Sequence, residues 1–340
     1  MRRRIILGSV LAAVVGGVML AAAPLAVTAT EVLALSAVPV PLDTEDAARQ
    51  QIGQLSYRGG LVLRSTNAAF GGLSGLRMTA DGRVLAISDT GNWVTFQTIG
   101  RGARLVGVSG GTIAPLLDAE GRPPYDKITG DAEALEWDAA TGDALVGFEQ
   151  DHRLQGYRGI DPARPATFRT PATSVLRPAA TASWNANGGG EALARLGDGA
   201  LLWFEEEGQG ADGASQALRI DGATVRQQRY TPPKGFRPTD AVRLRDGSVL
   251  VLNRRFTTIE GVAAVIVRVT PGDDMKGVEV ARIAPPLTVD NMEGIAITEA
   301  AGRTYVWLVS DDNFLSIQRT LLLKFELLPA TSSTAAARGH

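Results

Sequence analysis

DNMEGIAITEAAGRTYVWLVSDDNF, Asp290–Phe314, is the stretch that decides the fold. Glu293 stands just ahead of an alternating apolar run, and a second apolar run, YVWLV, ends in Asp311, Asp312 and Asn313. Two β-branched and aromatic runs joined by a short turn at Gly302 read as a β-hairpin. In a hairpin the start of the first strand and the end of the second lie at the same end. Glu293 is therefore expected beside Asp311 and Asp312.

Looser copies precede it. They are GGLSGLRMTADGRVLAISDTGNW (71–93), DAEALEWDAATGDALVGFEQDHRLQGY (131–157), GGGEALARLGDGALLWFEEEG (188–208) and PTDAVRLRDGSVLVLNRRF (238–256). Aligned on the residue that opens the first strand, the copies start at Ser74, Glu133, Glu191, Asp240 and Glu293, with steps of 59, 58, 49 and 53 residues. Turn signals such as Asp81-Gly82 and Asp246-Gly247 fall between the apolar runs, as hairpin turns should. A period near 50 with two to four strands per unit predicts an all-β fold, a β-propeller of five blades. A sixth blade remains open if residues 105–131 hold a degenerate unit. The last unit has one outer strand, 320–327, and residues 57–64 are placed to complete it and close the ring.

The ends of the chain read differently. Arg2, Arg3 and Arg4 precede an apolar stretch to about Ala29, with a small-residue cleavage site at Val27-Thr28-Ala29. Residues 1–29 are expected to be an export signal, twin-arginine-like or Sec. That predicts a periplasmic or secreted protein, or a membrane-anchored one if the signal stays uncleaved. Residues 30–54 read as a linker, 55–328 as the propeller and 329–340 as a disordered tail. Formal net charge is −2, which gives no basic surface for nucleic acid. With no Cys there is no disulfide, zinc–thiolate site or cysteine lipid anchor. A monomer is expected.

In a propeller the first strand of each blade lines the central channel. The opening residues named above then share a mouth with the second-strand ends: Asp89, Glu149 with Asp151, Glu205 with Glu206, Asn253 with Arg254, and Asp311 with Asp312. Carboxylates this close raise one another's pKa unless a cation compensates. An oxygen-only set suits Ca²⁺, with Glu133, Glu191, Glu293, Asp89, Asp311 and Asp312 as ligands. The competing reading makes these acids strand caps and partners of Arg153, Arg254 and Arg255. Arg254 or Arg255 is the expected anchor for an anionic group, and His152 or Glu149 the expected proton carrier. Gly107–Gly111 fits G-x-S-x-G but lies in a glycine-rich β segment, not at a strand–turn–helix elbow.

Taken together, GGLSGL…SDTGNW, DAEAL…FEQDHRLQGY, NGGGEAL…FEE, PTDAVRLRDGSVLVLNRRF and DNMEGIAI…SDDNF…TLLLKFEL resemble the bacterial family called "esterase-like activity of phytase" over residues 57–327. The resemblance implies an exported propeller with phosphoester or carboxyl-ester hydrolase activity. It is similar to the calcium-dependent propeller phytases only in architecture and acidic mouth, and their ligands do not map onto this chain residue by residue. The expectation is a metal-dependent hydrolase of small anionic or ester substrates. The alternative is a non-catalytic envelope propeller that binds a ligand or protein partner with a structural calcium.

Overall fold

The computed structural model describes residues 26–208, 210 and 212–329. The chain enters through β1 (Glu31–Leu33), β2 (Leu35–Val40), β3 (Gln51–Ile52) and β4 (Leu55–Ser65). The first blade is β5 (Leu73–Met78), β6 (Arg83–Ser88), β7 (Asn92–Arg101) and β8 (Arg104–Pro115). A one-turn helix, α1 (Lys127–Gly130), leads into the second: β9 (Ala132–Trp137), β10 (Ala144–Phe148), β11 (Arg153–Tyr157) and β12 (Ser174–Leu176). The third is β13 (Gly190–Arg195), β14 (Leu201–Glu205), β15 (Ser215–Asp221) and β16 (Thr224–Thr231). The fourth is β17 (Arg237–Arg243), β18 (Val249–Thr257), β19 (Gly261–Val269) and β21 (Val278–Ile283), with β20 (Asp274–Lys276) leaving it to pair parallel with β16. The fifth is β22 (Asn291–Ala300), β23 (Arg303–Asp311) and β24 (Thr320–Leu327), completed by β4 and β2.

The protein is thus a five-bladed β-propeller. The option of a sixth blade fails because residues 104–115 are the outer strand of the first blade, and the rest of that segment is loop and α1. Ring closure follows the sequence expectation: β4 pairs antiparallel with β24, Leu61 opposite Leu322. The linker expected over 30–54 is corrected. β1 pairs with β8 of the first blade, and β2 pairs with β4 of the last. This segment therefore covers the outer edges of two adjoining blades. Pro39 and the acidic run hid β2, but an outermost strand tolerates Pro because its free edge needs no ladder bond. The export-signal reading lies outside the described residues except for 26–29, and the tail reading except for Leu328 and Pro329. No helix among the described residues is long and apolar enough to cross a membrane.

Alternation along the strands puts apolar side chains on both faces of each sheet, so the core divides into clusters between neighbouring blades. Trp93 stacks on Phe168 between the first and second, and Trp184 meets Trp203 edge-on between the second and third. Leu76, Val309 and Leu322 pack where the last blade meets the first. The five tryptophans, Trp93, Trp137, Trp184, Trp203 and Trp307, are all buried packing residues.

The channel is closed by one side chain. Arg77 of β5 is 5% exposed and touches all five inner strands. Its guanidinium donates to the carbonyls of Leu76 (2.6 Å), Leu193 (2.7 Å), Ala241 (3.0 Å) and Ile295 (3.2 Å). It also pairs with Asp240 at 3.1 Å and Glu136 at 3.2 Å. Asp240 in turn accepts from the N–H groups of Ala241 and Ile295. The plug turns the channel into a cavity with a floor.

Candidate functional site

A β-bulge aims one residue per blade into this cavity or its wall. Each inner strand slips register against its neighbour at one point, leaving Ser74, Glu133, Glu191, Thr239 and Glu293 as the extra residues. Bulges re-aim side chains in this way beside functional sites. The blade-four equivalent is therefore Thr239, not Asp240 as the sequence alignment placed it. Asp240 lies one residue deeper, where the other blades carry Gly75, Ala134, Ala192 and Gly294, and it meets Arg77. Ser74 and Thr239 donate to carbonyls of the adjoining blades, at Ala132 and Met292. The three Glu bulges line a cavity of about 940 Å³.

Glycines shape its wall. Gly72 has φ +60, and a Cβ there would lie 2.0 Å from the Asp89 carboxylate. The run Gly188–Gly190 is equally constrained, because Cβ atoms would meet Glu207, His152 and Trp203. The N–H groups of Gly188 and Gly189 donate to Glu149 Oε1 at 2.7 and 2.5 Å.

One side of the cavity gathers carboxylates. Asp131, Glu133 and Glu149 each offer an oxygen within 4.8 Å of the others. Lys127, from α1, forms an ion pair with Asp131. Asp89 faces the same space, and its Oδ1 is buried without a hydrogen-bond partner. Burial, reinforced by Asp131 and Glu149, holds Glu133 well above the ordinary carboxylate range. Burial and then Asp311 do the same to Asp89. Burial and Asp131 push Glu149 up to about 7, against the two glycine N–H groups. Burial alone would lower Lys127, but Asp131 and Glu133 outweigh it and keep the ammonium charged.

The other side is built on Arg254. Its Nε lies 2.8 Å from Glu293, and Nη2 lies 3.1 Å from Glu206. Asn291 donates to Glu293 Oε1 at 2.8 Å and orients it. Burial pushes Glu293 up to about 8 and Asp311 to about 7, with Arg254 opposing both shifts. Burial and the neighbouring Glu206 hold Glu191 well above the ordinary range. Arg319 lines the cavity while pairing with Asp290 at 3.0 Å, and Arg237 does so while pairing with Glu207.

The structure therefore brings together Asp89, Glu133, Glu149, Glu191, Arg254, Glu293 and Asp311 of the expected residues. Three others are corrected. Asp312 is a loop cap: it accepts from Gly72 N, Phe314 N and Thr320 Oγ1. Arg255 turns to Glu260 and lies over the Phe236 ring at 4.9 Å, because strand alternation sends it away from the side of Arg254. His152 packs edge-on against Trp184 behind the cavity wall, and neither ring nitrogen has a hydrogen-bond partner. G-x-S-x-G lies within β8, an outer strand, and not at a strand-to-helix turn. Sequence reasoning missed Asp131 as a candidate ligand. The signal was present, since an extended chain puts residues two apart, Asp131 and Glu133, on one side.

The family described as "Phytase-like: Esterase-like activity of phytase" matches residues 68–314. No curated protein matches the chain. Among solved structures, the chain is similar to a protein of unknown function from Dyadobacter fermentans, with 11% identity and a TM-score of 0.41 over 90% of this chain and 97% of that one. It is similar to a GH43_1 enzyme from Xanthomonas citri, with 10% identity and a TM-score of 0.42 over 84% and 90%. It is also similar to the β-propeller domain of Cps50 (Swd1) from Myceliophteria thermophila, with 10% identity and a TM-score of 0.37 over 88% and 100%.

Proposed function

Because this chain belongs to the phytase-like family described as esterase-like activity of phytase, we propose that its acidic cavity hydrolyses small phosphate or other esters with the help of a divalent cation, in an exported protein. The observation that carries the reading is the convergence of Asp131, Glu133 and Glu149, the last two lining the cavity that Arg254 also lines. An oxygen-only trio suits a hard cation such as Ca²⁺, and the unpartnered Asp89 Oδ1 adds a nearby donor. Asp131, Glu133 and Glu149 would hold the ion. When bound, it supplies positive charge for the substrate's oxygens and makes a nearby water more acidic.

The chain's own groups do the rest. No Ser, Thr, Cys or His is among the described residues lining the cavity, and its carboxylates are assigned to the cation and to proton transfer, so water is taken as the nucleophile. Arg254 keeps a fixed charge facing an anionic head group. Glu293, held by Asn291 and pushed up to about 8, exchanges a proton near neutral pH.

Glu133→Gln tests the reading with p-nitrophenyl phosphate and p-nitrophenyl acetate, with and without Ca²⁺. The expected result is loss of cation-dependent turnover by at least about a hundredfold. In chelator the same variant is expected to be at least as stable as the unmodified protein, because one buried like charge is gone. Full turnover in the folded variant contradicts the proposal. The lack of Ser, Thr, Cys and His among the described lining residues also favours a second reading, a non-catalytic envelope propeller with a structural cation that binds a ligand or protein partner. Cation-dependent stabilisation with no turnover on any ester would select it.

A further inference from the structure

The cavity changes character from floor to rim. On β18, Arg254 and Phe256 are two residues apart and so share a face, with Val262 of β19 opposite Phe256. Phe256 is 66% exposed and lines the same cavity as Arg254. The loop from Asp311 to Thr320 repeats the gradient. Asp311 stands at its base, Arg319 at its end, and Leu315 and Ile317 line the rim, Ile317 being 86% exposed. Two walls therefore carry charge below and hydrocarbon above. None of these four side chains belongs to the packed clusters between blades. At about 940 Å³ the cavity is near the upper end of the range for small-molecule sites, far more than an anionic head group needs.

We propose that the site takes an amphiphilic ester. Its head group lies on the charged floor beside Arg254. Its acyl or aryl group lies between Phe256 and Val262 on one wall and Leu315 and Ile317 on the other. This inference rests on the hydrolase reading for its chemistry, but the apolar rim is a separate observation. The four residues determine specificity, and the occupant of the rim is the substrate's own hydrocarbon.

The test is a chain-length series, run on monomeric p-nitrophenyl acetate, butyrate and octanoate with Ca²⁺. Alongside it, calorimetry compares binding of methyl phosphate and octyl phosphate. The expected result is a kcat/KM at least tenfold higher for octanoate than for acetate, carried by KM, and octyl phosphate binding at least tenfold tighter than methyl phosphate. Tenfold corresponds to burial of only about two methylenes. In Phe256→Ser/Ile317→Ser the octanoate-to-acetate ratio falls toward one. If no ester is hydrolysed but octyl phosphate still binds tighter, the hydrolase reading fails and the amphiphile inference stands. A flat series in both arms overturns the inference. So does chain-independent cosedimentation with phosphatidylcholine vesicles, which would assign the rim to a membrane surface.

Discussion

Replacing Arg77 by Met removes the plug that ties the five inner strands together. The change leaves the Asp240 carboxylate without its counter-ion while fully buried, and it frees the carbonyls of Leu193, Ala241 and Ile295. Breaking a buried ion pair by removing one partner costs about 3–5 kcal/mol. At about 2–4 °C per kcal/mol, the melting temperature should fall on the order of 10 °C. Asp240 retains the N–H groups of Ala241 and Ile295, so the protein still folds. Neutralising the orphaned acid should recover part of the loss. Arg77→Met/Asp240→Asn is expected to be less destabilised than the sum of the two single variants by about 1–3 kcal/mol. Thermal and urea unfolding of all four proteins give the cycle. A cost for Arg77→Met below about 1 kcal/mol, or additive single effects, would refute the reasoning.

Arg254 and its neighbour Arg255 should differ sharply. Arg254→Ser strands Glu293 and Glu206 in a buried setting, costs about 3–5 kcal/mol and removes ester turnover, whereas Arg255→Ser loses an ion pair to the exposed Glu260 and costs less than about 1 kcal/mol; unfolding and turnover of both variants check this. Deleting residues 26–54 uncovers the outer edges of β8 and β4, and light scattering and thermal unfolding should show a lower melting temperature with self-association. In chelator, stability should fall as pH rises from about 5 to 8. Glu149, Glu293 and Asp311 bind protons more tightly folded than unfolded, so their contribution is complete below the unfolded value and is lost through about 7–8. For Glu149 alone the loss is on the order of 3 kcal/mol, and added Ca²⁺ should flatten the fall in a pH series of melting temperatures.

The repeat carried most of the fold. Strand direction alone placed Glu293 with Asp311 and Glu133 with Glu149 at one mouth, because hairpin ends coincide whatever the side-chain details. Register was harder. One bulge per blade shifts the facing residue by a single position, and nothing in PTDAVRL distinguishes Thr239 from Asp240 without the partner strand. The fates of His152 and Asp312 depended on contacts distant in sequence, with Trp184 and Gly72. Arg77 was invisible for the same reason, since its partners are carbonyls from three other blades and carboxylates from the second and fourth.

The central claim is that the carboxylate trio beside Asp89 holds a cation that the chemistry needs. Calorimetric titration of the chelator-treated protein with Ca²⁺, with melting temperature and ester turnover read on the same samples, tests it most directly. The account predicts saturable binding, stabilisation of about 2.7 kcal/mol at a hundredfold excess over Kd, and turnover that appears only with the cation. No binding and no change in melting temperature, or turnover that persists in chelator, would contradict it.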